Sequence, residues 1–134
     1  MAEESTQQAE AVIANEISRV QGEYYGLAPA ESRAFYIPGH AVMVVLPEPF
    51  TPAEKVMIQH GAGPEIQNMR RRFQQINADQ FISIVEQATG ETVASFLSET
   101  NISDRVSVEV FLLGPPRTDM ESFEEAEIKE PEET

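Results

Sequence analysis

The chain has 134 residues, a formal net charge of -14 and no cysteine, which is enough length for one domain with a modest core. The missing cysteine excludes disulfides, thiolate metal sites and a cysteine nucleophile. The charge argues against nucleic acid, because neutralising phosphates takes a patch of Lys and Arg, and only Arg70, Arg71 and Arg72 cluster.

The acidity belongs mostly to the ends. Residues 1–10 hold three acids and no base, residues 118–134 hold eight acids against Lys129, and the 107 residues between carry a net charge of only -4. A division follows: an acidic flexible N-terminus over 1–5, a single domain over 6–114, and an acidic tail over 115–134 expected to be disordered. The alternative role for the tail is a docking segment with Met120, Phe123 and Ile128 as apolar contacts. The opening "MAEESTQQAE" has no basic n-region and no apolar h-region, so no secretory signal is expected. The longest apolar run, Ala41 to Leu46, is far short of the roughly 20 residues that span a bilayer. A soluble, cytoplasmic chain without direct membrane insertion is expected.

Ser5 or Thr6 caps a first helix running to Tyr24, with Val12, Ile13, Ile17, Val20 and Tyr24 on its apolar side. "GLAPAES", Gly26 to Ser32, breaks it. Two β-rich runs in "RAFYIPGHAVMVVL" flank Pro38-Gly39 and read as a hairpin, with Phe35, Ile37, Val42 and Val44 as core contacts. "TPAEKVMIQ" starts a short helix, with Thr51 as N-cap, Pro52 in the first turn and Glu54 completing a capping box. A long helix is expected from Pro64 to Thr89 with Gly90 as its stop; Asn77 offers a break, but a continuous helix is preferred.

"ETVASFLS" and "RVSVEVFLL" are the last two strands. In the second, Val106, Val108, Val110 and Leu112 share one face. Phe111 and Leu113 make the other face partly apolar, and they are the interface candidates for a second subunit. The fold class is α+β: a four-stranded, mainly antiparallel sheet of two hairpins with helices on one face, in the order α-β-β-α-α-β-β.

Chemistry is sparse. His40 and His60 stand in no metal-ligand spacing, so neither a metal site nor a cofactor is expected. "GAGP" lacks the Lys and Ser/Thr of a phosphate loop, no G-x-S-x-G is present, and no pair of carboxylates is singled out by position. No catalytic residue is assigned, and the chain is expected not to be an enzyme. Candidate ligand or partner residues are Arg70, Asn77, Tyr25 and Arg33. On a wheel of about 100° per residue, Arg70 falls inside the apolar stripe of Ile66, Met69, Phe73, Ile76, Ile84 and Ala88, whereas Arg71 and Arg72 lie outside it. A stripe arginine must snorkel, pair with a carboxylate, or meet a ligand. Asn77 shares that stripe. Tyr24 continues the first helix's apolar face, and Tyr25 points away from it as an exposed contact.

In order and spacing, "GEYYGLAP", "FTPAEKVM", "EQATG" and "VSVEVFLL" resemble the MpsC family over about residues 11–114. Tyr25, Gly26 and Pro29 match its first turn, Thr51, Pro52 and Glu54 its helix start, and Thr89 and Gly90 its helix stop. Ala28 stands where a glycine is usual, and Phe50 where a leucine is. The resemblance implies an accessory component of a bacterial system that generates membrane potential by cation translocation and is associated with inorganic carbon supply. No catalytic residues come with it. The expectation is a non-enzymatic accessory or regulatory protein, a homodimer or higher, acting with a membrane transporter subunit through protein contacts. The alternative is an oligomeric module that senses a small anion or metabolite.

Overall fold

The computed structural model describes residues 2–26 and 31–115. The acidic tail and part of the Gly26–Ser32 break lie outside those residues. Helix α1 spans Ala2–Tyr25 and starts earlier than its Ser5 or Thr6 cap would place it, with Glu3 and Glu4 in the first turn where the helix dipole favours acids. Strands β1 (Arg33–Ile37) and β2 (Ala41–Pro47) follow, then helices α2 (Pro52–Gln59), α3 (Gly63–Ile76) and α4 (Ala78–Thr89), and strands β3 (Val93–Asn101) and β4 (Val106–Leu113). The fold is the expected α+β arrangement, with the long helix divided in two.

The sheet order is β1-β2-β4-β3, antiparallel throughout, so two hairpins meet along β2 and β4. Gly39 supplies the φ of 79° that the first turn needs. Glu91 ties that turn to the approach to β3: its carboxylate accepts hydrogen bonds from the Tyr36 hydroxyl and from the Gly39 amide at 3.1 Å.

The inward face carries Ala34 and Tyr36 from β1, Val42, Val44 and Leu46 from β2, and Ser107, Glu109 and Phe111 from β4. Two expectations are reversed here. Phe35 and Ile37 point outward, 42% and 58% exposed. Phe111 is wholly buried and Leu113 packs against the core, so neither is an outer-face contact. The reason is phase: both alternating sets of these strands are largely apolar, and a period of two does not say which set turns inward. The outward set of β4 is instead Val106, Val108, Val110 and Leu112.

Ile13, Ile17 and Val20 of α1 and Phe81 and Val85 of α4 fill the core above Val42, Val44 and Phe111. Val12, by contrast, is 49% exposed, and Gln21 takes the inward position one turn before Tyr25. The long helix breaks at Asn77, whose carbonyl accepts from Gln80 and Phe81 at 3.1 and 3.2 Å while its side-chain amide donates to the Phe73 carbonyl at 3.0 Å. The break uncouples the two pieces. α4 presents Phe81 and Val85 inward, whereas α3 buries Ile66, Arg70 and Gln74 and leaves Met69 and Ile76 exposed.

Candidate functional site

The short helix α2 begins with the expected capping box. Thr51 Oγ1 accepts the Glu54 N–H at 3.2 Å, and Glu54 Oε1 accepts the Thr51 N–H at 2.9 Å. The box fixes more than a helix end, because the same Glu54 carboxylate faces Arg70 of α3. Arg70 donates from Nε to Oε2 at 3.0 Å and from Nη2 to Oε1 at 2.5 Å, and Nη2 also reaches the Pro49 carbonyl at 2.7 Å. The guanidinium lies 3.9 Å from the centre of the Tyr25 ring and 5.3 Å from that of Phe50, within reach of cation–π attraction.

Arg70 is 1% exposed. Its charge is neutralised by a two-pronged carboxylate pair, the arrangement that makes a buried arginine tolerable. Burial pushes the Glu54 pKa up, but the hydrogen bonds from Arg70 and Thr51 outweigh it and hold the carboxyl below its ordinary value. Tyr25 is pushed up to about 12, chiefly by burial and against the pull of Arg70. The arrangement reverses the two tyrosines: Tyr24 is 51% exposed, and Tyr25 lies half-buried beneath the arginine.

Beneath α3 the sheet is polar. Across its inner face Ser98 of β3 stands opposite Glu109 of β4, and Thr100 opposite Ser107. Ser98 Oγ donates to Glu109 Oε2, and the Thr100 and Ser107 hydroxyls meet at 2.8 Å. Glu109 is wholly buried. Burial pushes its pKa up to about 7, against the opposing effects of the Ser98 hydrogen bond and the Arg70 charge. Among the described residues its Oε1 has no partner, nor do Gln21 Oε1, Gln74 Oε1 and the Tyr25 hydroxyl. A cleft of about 370 Å³ opens beside this region between the end of α3 and β3, and Gln74 and Ser98 are among its walls.

The other candidates do not join this cluster. Asn77 spends its side chain on the α3–α4 joint. Arg33 is exposed at the start of β1 on the outer face of the sheet. Arg71 pairs with Glu99 at 3.2 Å on the surface, and Arg72 is exposed. His60 Nδ1 lies 2.9 Å from the Val56 carbonyl at the end of α2. No cluster of His, Cys, Asp and Glu suited to a metal is found among the described residues. Among the described residues, the cation of this site, Arg70, is already paired with Glu54. Glu54, Glu109, Gln21 and Gln74 were not singled out as site residues. The signals were slight: a cap glutamate whose second role is invisible in a capping box, and one acid in the middle of "VSVEVFLL".

The family model described as "Na+-translocating membrane potential-generating system (MpsC)" matches residues 5–114. The chain belongs to the MpsC family. Tyr25 and the Thr51–Glu54 box, which carry the sequence resemblance, meet at Arg70, so these MpsC-like motifs converge on the buried pair. No curated protein and no solved structure matches the chain. Membership associates it with a membrane-potential system, and no helix among the described residues is long and apolar enough to cross a membrane.

Proposed function

We propose that this MpsC family member is a non-catalytic, cytoplasmic accessory subunit that works as a dimer beside the membrane components of a cation-translocating system. The observation that carries the reading is the sheet's outer face, which no helix among the described residues covers and where Phe35, Ile37, Leu97 and Leu112 are exposed. An apolar face of this kind marks a contact surface. The internal pairing of Arg70 supports contact over chemistry, and it removes the main support for a small-anion sensor at that residue.

The test uses the tagged full chain in a bacterium that carries the membrane subunits of such a system. Capture from detergent-solubilised membranes is expected to bring down a membrane subunit. Adding the chain to inside-out vesicles stripped of it is expected to raise the sodium-dependent potential. Capture without any membrane subunit, together with an unchanged potential, would overturn the reading. An accessory role predicts that Glu109→Gln leaves the effect on potential intact; its loss in a folded variant would favour catalysis.

A further inference from the structure

The outward side chains fall into rows across the four strands. One row is Ile37, Ala41, Leu112 and Ser95, and the next is Phe35, Met43, Val110 and Leu97. The third is Arg33, Val45, Val108 and Glu99, a cation at one edge, two valines, and an anion at the other edge. The last holds Pro47, Val106 and Asn101. Eleven of these fifteen positions are apolar, so water is a poor partner for the face.

The sheet's edges are already blunted. On β1 the outward Tyr36 N–H is taken by Glu10 of α1 at 2.8 Å. On β3 the Val93 N–H is taken by Glu86 at 2.9 Å, and the Thr100 carbonyl by Gln67 at 3.0 Å. Occupying these groups disfavours strand addition at either edge. What remains open is the face.

We propose that a second copy of this chain closes that face, sheet on sheet, about a two-fold axis parallel to the strands and between β2 and β4. This deepens the accessory reading and rests on its claim that the face is a contact surface. That axis lays β1 of each copy over β3 of the other and each row over itself reversed. Arg33 then meets Glu99 of the partner subunit, and Glu99 meets Arg33 of the partner subunit, while the valines between them stack.

The other in-plane two-fold, perpendicular to the strands, lays each edge strand over its own copy and sets both charges against apolar rows, where they lack a partner. Packed sheets lie about 10 Å apart, a gap that an extended arginine and glutamate can bridge. Glu99 has capacity for a second cation: Arg71, Gln67 and the Thr100 N–H all use its Oε1. Arg33 makes no ion pair among the described residues. With strands about 4.8 Å apart, the footprint is on the order of 500 Å² per copy. The two copies together would cover about 1,000 Å², the lower bound for a specific interface.

The test is sedimentation equilibrium of the purified full chain and four variants, with circular dichroism confirming the fold of each. Wild type is expected to be dimeric at about 10 μM, and Val108→Glu monomeric. Arg33→Glu and Glu99→Arg are each expected to weaken the dimer about tenfold or more, and the exchange Arg33→Glu/Glu99→Arg to restore it to within about threefold of wild type. Both Glu99→Arg and the exchange lose the pairing with Arg71, so recovery must come from position 33. A monomeric wild type, a dimer indifferent to Val108→Glu, or an exchange that does not recover would each overturn the proposal. A monomeric wild type that still captures a membrane subunit overturns the dimer alone; if Val108→Glu then loses that capture, the face belongs to the membrane subunit. A dimer that captures none and leaves the potential unchanged overturns the accessory reading and leaves this one standing.

Discussion

The two ends of the sheet's inner face are stabilised by different physics. Beneath α1 and α4, Val42 and Phe111 meet Ile13, Ile17, Phe81 and Val85, and the stabilisation is that of buried apolar area, spread over many contacts. Beneath α3, the sheet offers Ser98, Ser107 and Glu109, and the helix brings Arg70 and Gln74. Here a few strong, directional contacts carry the stability, and each depends on its partner. The apolar end should therefore degrade gradually under mutation, and the polar end abruptly.

The largest effect should come from splitting the buried pair. Arg70→Met leaves Glu54 charged without its counter-ion and should cost about 3–5 kcal/mol, whereas Ile17→Val in the apolar end should cost about 1 kcal/mol. Arg70→Met/Glu54→Met should recover most of the loss, since a buried pair replaced whole by apolar groups is near neutral. Urea denaturation of the three variants measures this. Equal costs for Arg70→Met and Ile17→Val would erase the contrast between the ends.

Glu109 supplies the next largest effect, and it has a sign. Its folded pKa, about 7, stands above the ordinary 4.5, so the folded state binds its proton more tightly than the unfolded state does. The stability linked to this group is complete below pH 4.5, falls as pH rises from there to about 7, and by pH 8 the loss is on the order of 3 kcal/mol. Glu109→Gln should abolish that dependence and leave the variant more stable than wild type at pH 8, as read from melting curves over pH 4.5–8. Glu54 works the other way: its lowered pKa gives stability present above the ordinary value and lost as pH falls through the folded one. The descent above pH 4.5 therefore belongs to Glu109.

Smaller effects sharpen the picture. Thr51→Ala removes an N-cap and one constraint on Glu54, and should cost about 1 kcal/mol by urea denaturation. Tyr25→Phe should cost nothing or stabilise slightly, because the hydroxyl it removes is buried without a partner among the described residues while the ring under Arg70 remains. A loss of more than about 1 kcal/mol would mean that the hydroxyl is bonded after all.

The α+β class, the hairpin turn at Pro38-Gly39, the capping box and the Gly90 stop were legible in the sequence because each is set by local chemistry. Strand phase was not. β1 alternates Arg33, Phe35 and Ile37 with Ala34 and Tyr36, and burial followed the smaller set, against hydrophobicity. In β4 the valines look inward by every apolar measure, yet Ser107 and Glu109 are buried because α3 faces them with polar groups of its own. The position of Arg70 in its stripe was readable from spacing; that Glu54 would be its partner was not, because the two meet only when α2 and α3 pack.

The pairing of β2 with β4 bears on how the chain must be made. Val44 pairs with Glu109, so the central ladder cannot form until three helices and the second hairpin have been synthesised. At about 5–20 residues per second, the first hairpin waits roughly 3 to 12 s for its neighbour. Through that interval Val42, Val44 and Leu46 are without β4, and the outward Phe35, Ile37 and Met43 have no cover among the described residues. The polypeptide is most vulnerable to misassociation between the birth of its second strand and the arrival of its fourth.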